Sequence, residues 1–194
     1  MNQPIWVETY RGRRLDLRDV HPADIDIEDI AHSLSRQCRF NGHCRFFYSV
    51  AHHSLAITQS LHDQGCSARI RLLGLLHDAQ EAYIGDIITP VKRVMPELCA
   101  LEDQIALAVR RRFFDRPPSG EEERIVKKAD RQMLLNEAAL LMPSKGGWWG
   151  YDEKADGNWQ PGALDGMTYT EGVFIQCCEM LVSSEHPCTI EKIG

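Results

Sequence analysis

Apolar residues recur along most of this 194-residue chain at three- and four-residue intervals, the spacing that lines one face of an α-helix. Ile27, Ile30, Ala31 and Leu34 mark a first helix behind a cap at Asp24 or Asp26, and Val50, Leu55, Ile57 and Leu61 mark a second behind Ser49. A third opens at Ser67 and ends near Tyr83 to Gly85; its nearly continuous Leu72, Leu73, Leu75 and Leu76 place it at the centre of a bundle. Thr89-Pro90 and Met95-Pro96 set proline in a first turn, where a missing N–H is tolerated, and the second pair starts a helix that runs to about Phe113. Glu121, Glu122 and Glu123 crowd the start of the next, where carboxylates oppose the helix dipole, and it continues to about Met142 before Pro143 stops it. A last helix covers roughly Thr168 to Ser183.

Two segments depart from the helical period. Residues 5–17 alternate around Arg11-Gly12, which predicts a short β-hairpin. Residues 143–166 are rich in glycine and carry Trp148, Trp149 and Trp159, which predicts a long surface loop whose aromatics pack as a lid over a pocket, fill a subunit interface or simply pack against the fold. The expected fold is all-α, a single domain over 1–194 with its core at about 27–142, the hairpin at 5–17 and the loop and final helix at 143–184.

A chain of this length buries enough surface to fold without a structural metal, so any metal would serve chemistry. Twenty-eight acidic against twenty-two basic residues give a formal charge of −6, which argues against a surface adapted to nucleic acid. Arg110, Arg111, Arg112 and Arg116 form a basic cluster that reads as a solvated helix face. Seven cysteines with no CxxC pair and no secretory leader read as reduced cytoplasmic thiols; Cys38, His43 and Cys44 make a poor zinc site for lack of that pairing. No apolar run is long enough to cross a bilayer.

Polar residues on apolar faces carry the functional signal. His77 and Asp78 interrupt the most apolar helix, with Glu81 one turn beyond them. Asp130 is flanked by Val126, Met133 and Leu134 and points inward, where an ionised carboxylate requires a partner or a cation. His53, between Val50 and Ile57, can face inward too. Each alone is most simply a hydrogen-bonded core residue; together they supply two imidazoles and two carboxylates from three helices, a mixed nitrogen and oxygen set that suits a metal ion.

This combination, with RFNGH at 39–43, YSVAHHSL at 48–55 and LLHDAQEAYIGDIITPVK at 75–92, resembles the HD-domain metal-dependent phosphohydrolases over about residues 27–142, and within them the small bacterial and phage 5′-deoxynucleotidases and deoxynucleoside triphosphate triphosphohydrolases. The resemblance implies metal ligation by His53, His77, Asp78 and Asp130 and catalytic carboxylates at Glu81 and Asp86. It implies that Arg39 and Phe40 hold phosphate and sugar or base, and that Thr89, Pro90 and Lys92 edge the pocket. His52 stands where such proteins carry an acidic residue; only one of His52 and His53 can face the cluster, and the following serine favours His53. The absence of histidine between Asp78 and Asp130 disfavours dinuclear variants and predicts one ion per site.

The expected cofactor is a divalent transition ion (Mn²⁺, Co²⁺, Fe²⁺ or Zn²⁺) in preference to Mg²⁺. Glu81, supported by Asp86, would then deprotonate a water for attack at phosphorus. The expected substrate is a deoxynucleoside mono- or triphosphate, and the expected setting is a cytoplasmic homo-oligomer, or host cytoplasm for a phage protein, with no stable nucleic-acid partner and no membrane. Rival readings are hydrolysis of a cyclic or signalling nucleotide and a non-catalytic nucleotide or metal sensor. His43 has no assigned role.

Overall fold

The structure is a computed structural model that describes residues 5–157, 159–161 and 166–185. Among these, eight α-helices and a two-stranded hairpin make a mostly helical fold, as the periodicity predicts. The hairpin pairs β1 (Trp6–Glu8) with β2 (Arg14–Asp16) antiparallel, Val7 opposite Leu15. Strand alternation turns Leu15 fully inward, and the loop between the strands is tied to the first helix by the Arg11 N–H on Asp29 Oδ1 at 2.8 Å.

The helices begin where their caps require. Asp26 accepts the Glu28 N–H and starts α1 (Ile27–Arg36). Ser49 accepts the His52 N–H while His52 Nδ1 reaches back to the Ser49 N–H, a reciprocal cap that starts α2 (Val50–Asp63). Ser67 starts α3 (Ala68–Leu75). Next come two single-turn helices, α4 (Glu81–Ile84) and α5 (Thr89–Lys92). Three long helices follow: α6 (Pro96–Phe113), α7 (Gly120–Leu141), capped by Ser119 and Glu122, and α8 (Met167–Glu185). Helices α1, α2, α3 and α8 share the main core, which contains Ile30, Leu34, Ile57, Leu61, Leu72, Leu75 and Phe174, and α7 packs across α2 and α3. Gly74 sets the closeness of α2 and α3, since a Cβ there would sit 2.5 Å from Leu61 Cδ1.

One element differs from the sequence expectation. The helix that opens at Ser67 does not continue to Tyr83; it ends at Leu75, and residues 76–80 form successive tight turns, with the Ala79 N–H on the Leu76 carbonyl and the Glu81 N–H on the Asp78 carbonyl. His77 and Asp78 therefore stand on a turn between α3 and α4. Their polar side chains are accommodated by leaving the helix, and His77 Nδ1 takes up the Gly74 carbonyl at 2.9 Å.

The segment from 143 into α8 has no regular structure where it is described. Trp149 folds back onto Phe40 with ring centroids 5.8 Å apart, Trp159 packs against the core, and Trp148 is 88% exposed, so the three tryptophans do not form one lid. Among the described residues no helix is long and apolar enough to cross a membrane. The described cysteines are free thiols, and Cys188 lies outside the described residues.

Candidate metal centre

Helix α2, the turn after α3 and helix α7 bring three donor groups together: His53, His77 and Asp130 present ligand atoms all within 4.8 Å of one another. Asp78 closes on the same point, its Oδ2 lying 3.0 Å from His77 Nε2 and 3.8 Å from His53 Nε2. Asp130 Oδ1 is 3.2 Å from His53 Nε2 and 3.8 Å from His77 Nε2. All four expected ligands thus converge. Asp130 does not point into the core as expected; its side chain is 42% exposed and forms the solvent side of the cluster.

The far side of each imidazole is fixed. His53 Nδ1 meets Glu137 Oε1 at 2.7 Å, and His77 Nδ1 meets a carbonyl. A carbonyl or ionised carboxylate only accepts, so both Nδ1 atoms donate, and in the neutral ring Nε2 is left with its lone pair toward the cluster. Both Nε2 atoms are buried without a hydrogen-bond partner. Orphaned buried nitrogens are costly in a packed protein, and oriented imidazoles backed by an acceptor are the arrangement that metal ligation uses. The residues fit a metal ion.

The local field also favours positive charge. Burial opposes a proton on His77, yet Asp78 and Asp130 outweigh it and raise the imidazole to about 9. Burial and Arg39 oppose a proton on His53, and Glu137 and Asp130 again prevail. Asp78 is held below the ordinary carboxylate range against its burial, chiefly by His77.

His52 is turned away from the centre: besides its capping role, its Nε2 lies 3.0 Å from Thr170 Oγ1 on α8. Successive helical residues point about 100° apart, so the two adjacent histidines serve a structural cap and the centre separately.

Arg39 is buried beside the cluster. Its Nε donates to Glu137 Oε2 at 3.0 Å and its Nη1 is 3.9 Å from Asp78 Oδ2, so only Nε is engaged at hydrogen-bond distance among the described residues. Burial opposes its charge, but Glu137, Asp78, Asp86 and Asp130 more than compensate. Phe40 lies under the guanidinium, 5.3 Å from ring centroid to Cζ, and its ring also meets Trp149, tilted by 38°.

Glu81 is 3% exposed, with Oε1 held by Lys92 Nζ at 3.2 Å and Oε2 buried without a partner. Burial, then the charges of Asp78 and Asp86, push this carboxyl up to about 9 despite Lys92. Asp86 is also raised, by burial and by Asp78 against the pull of Arg39. Lys92 pairs with Glu81 and with Glu102, whose Oε1 is 2.6 Å away, and so positions Glu81. Thr89 and Pro90 are exposed at the start of α5 and join no part of the cluster. His43 is exposed, and the 38–44 turn yields no metal-holding group among the described residues.

Two residues that matter here escaped sequence reasoning. Glu137, wholly buried, grips both His53 and Arg39. It lies two turns after Asp130 on one face of α7 amid Leu134, Ala138 and Leu141, and that spacing is the signal that could have found it. Gln37 donates to the Glu81 carbonyl and accepts the Asp86 N–H, both at 2.9 Å, so it pins the stretch that carries both candidate catalytic carboxylates. Nothing in its flanking sequence marks it.

A cavity of about 230 Å³ opens beside His77 and Asp130, with Leu73, Leu76, Arg110 and Lys127 among its walls. A larger cavity, about 580 Å³, lies between the hairpin, α1 and α4 and contains none of the expected site residues. Donor chemistry, not size, identifies the smaller one as the neighbour of the centre.

No family model matches the chain. An uncharacterised protein of Rhodobacter capsulatus is 45% identical over 113 residues, which cover 56% of this chain and 58% of the relative. The uncharacterised Escherichia coli protein YfdR is 36% identical over 108 residues, again 56% of this chain and 58% of the relative. The matches therefore span less than two thirds of either relative's length.

Proposed function

We propose that this protein is an HD-type metal-dependent phosphohydrolase of deoxynucleotides with one divalent transition ion per site. The observation that carries the reading is the pair of buried, unpartnered Nε2 atoms of His53 and His77 facing the carboxylates of Asp78 and Asp130. These four residues would hold the ion. When bound, it supplies Lewis acidity, lowering the pKa of a water and offsetting charge that develops on phosphoryl oxygen.

The remaining chemistry belongs to the chain. Glu81 has one oxygen engaged by Lys92 and one free, and it exchanges a proton with the attacking water through Oε2. Asp86 shares that proton field, and Gln37 keeps the two carboxylates in register. Arg39, anchored at Nε by Glu137, offers its terminal nitrogens to a phosphate as a planar fork that lysine would not reproduce. Phe40 supplies an apolar wall for sugar or base. The substrate class rests on the resemblance in residues 39–43, 48–55 and 75–92, and a cytoplasmic homo-oligomer belongs to the same reading.

The test incubates purified, metal-reconstituted protein with deoxynucleoside mono- and triphosphates and identifies the product. Free phosphate from a monophosphate indicates a nucleotidase, and tripolyphosphate from a triphosphate indicates a triphosphohydrolase. No turnover of either with Mn²⁺, Co²⁺, Fe²⁺ or Zn²⁺ contradicts the proposal.

A further inference from the structure

The turn that carries Arg39 is bracketed by two thiols. Cys38 Sγ and Cys44 Sγ lie 3.5 Å apart, and both residues are partly exposed. Between them Phe40 and Asn41 hold φ of 58° and 51°, and Gly42 holds 75°. Two successive non-glycine residues in the left-handed region are strained and persist only where the surroundings impose them. Those surroundings are the ends of the turn. Cys38 forms a β-bridge with Ser49, the Arg39 N–H donates to the Tyr48 carbonyl at 2.9 Å, and the Arg45 N–H donates to the Leu141 carbonyl at 2.9 Å. With both ends pinned, the sulfurs need to close by roughly 1.5 Å to reach bonding distance, a movement within reach of side-chain rotation.

We infer that Cys38 and Cys44 are an oxidation site: they join in a reversible disulfide that locks the turn carrying Arg39 and Phe40. With a peroxide as oxidant the chemistry balances. Cys38 thiolate attacks one peroxide oxygen and becomes a sulfenic acid as the other oxygen leaves as hydroxide and is protonated to water. The Cys44 sulfur then displaces the sulfenic hydroxyl, its own proton completing a second water, and the S–S bond forms. Burial and the neighbouring Cys38 hold the Cys44 thiol above its ordinary range, which suits Cys44 to the second, resolving step. Among the described residues a ligand role for the pair lacks a third donor, since His43 is not drawn in.

The experiment uses the full chain with its metal and does not depend on the proposed activity. Reduced protein is exposed to hydrogen peroxide, free thiols are alkylated, and the protein is digested with trypsin, which cuts after Arg36, Arg39 and Arg45. The expected result is a cross-linked pair of peptides, 37–39 and 40–45, lighter by two hydrogens, restored by dithiothreitol and absent from both Cys38→Ser and Cys44→Ser. Amide exchange across 39–44 should slow about tenfold on oxidation. Overturning results are thiols that both remain alkylatable, a cross-link that uses one of the other five cysteines instead, retention of zinc by the pair, or exchange unchanged by oxidation.

Discussion

Two buried charged clusters sit at different parts of α7, and they are finished differently. At its start, Arg69 of α3 is 5% exposed and every guanidinium nitrogen has a partner: Nε on Glu122 at 2.9 Å, Nη1 on Asp115 at 3.3 Å, and Nη2 on the carbonyls of Arg116 and Pro117. Farther along, His53, His77, Asp78 and Asp130 converge, and the two imidazole Nε2 atoms face carboxylate oxygens at 3.2 Å and 3.0 Å without making a hydrogen bond. A saturated cluster joins elements; an unsaturated one is kept for something that arrives. The lesson is to read buried polar groups by what they leave unmet rather than by their number.

Exchanging the roles of the two clusters by mutation gives the largest effects. Asp78→Ala or His77→Ala should abolish metal binding and activity while the protein stays folded, seen as lost metal in calorimetry with a retained cooperative melt. Arg69→Ala should do the reverse, costing about 1–3 kcal/mol of stability by leaving the carbonyls of Arg116 and Pro117 without their donor, with metal affinity intact. Loss of metal in the Arg69 variant at a temperature where it is folded would erase the distinction.

Within the unsaturated cluster, Glu81→Ala should keep the metal and lower the rate by about 10²- to 10⁴-fold. A fully active Glu81→Ala protein would remove Glu81 from the chemistry. Glu137→Gln keeps the shape but takes charge from behind His53 and Arg39, and should weaken metal affinity by about 10- to 100-fold, measured by competition with a chelator. An unchanged affinity would make Glu137 a packing residue.

These predictions rest partly on features legible in the sequence. Caps at Ser49 and Ser67, the glutamates that open α7 and the alternation around Arg11-Gly12 state local chemistry and appear where that chemistry puts them. The inward placement of His53 was also readable, because a polar residue on an apolar face needs a partner, whereas Asp130 joins the cluster from its solvent side and His77 and Asp78 join it from a turn. What escaped was tertiary. The apolar run Leu72–Leu76 looks the same whether the helix stops at Leu75 or continues, and the stop depends on His77 reaching the Gly74 carbonyl. Lys92 looked like a free cation because Glu102 lies a full helix turn inside α6 and meets it only in the fold.

The smallest expected effect belongs to the saturated cluster and depends on pH. Arg116, opposed by burial and helped by the Ser119 N–H and Arg69, lowers Glu122 from 4.5 to about 2. Because the folded value lies below the unfolded one, Glu122 contributes stability above pH 4.5 that is lost as pH falls from there toward 2. Glu122→Gln should flatten the melting temperature over that window. An unchanged slope would show that its pairing with Arg69 and Arg116 adds little.

The most direct test of the metal centre is to titrate chelator-stripped protein with Mn²⁺ or Co²⁺ and follow binding and melting temperature together, for the natural sequence and His77→Ala. One ion per chain with a rise in melting temperature, both absent in the folded variant, is the result expected from two unpartnered imidazoles. Saturable binding of equal affinity in the variant, or none in the natural protein, would contradict it.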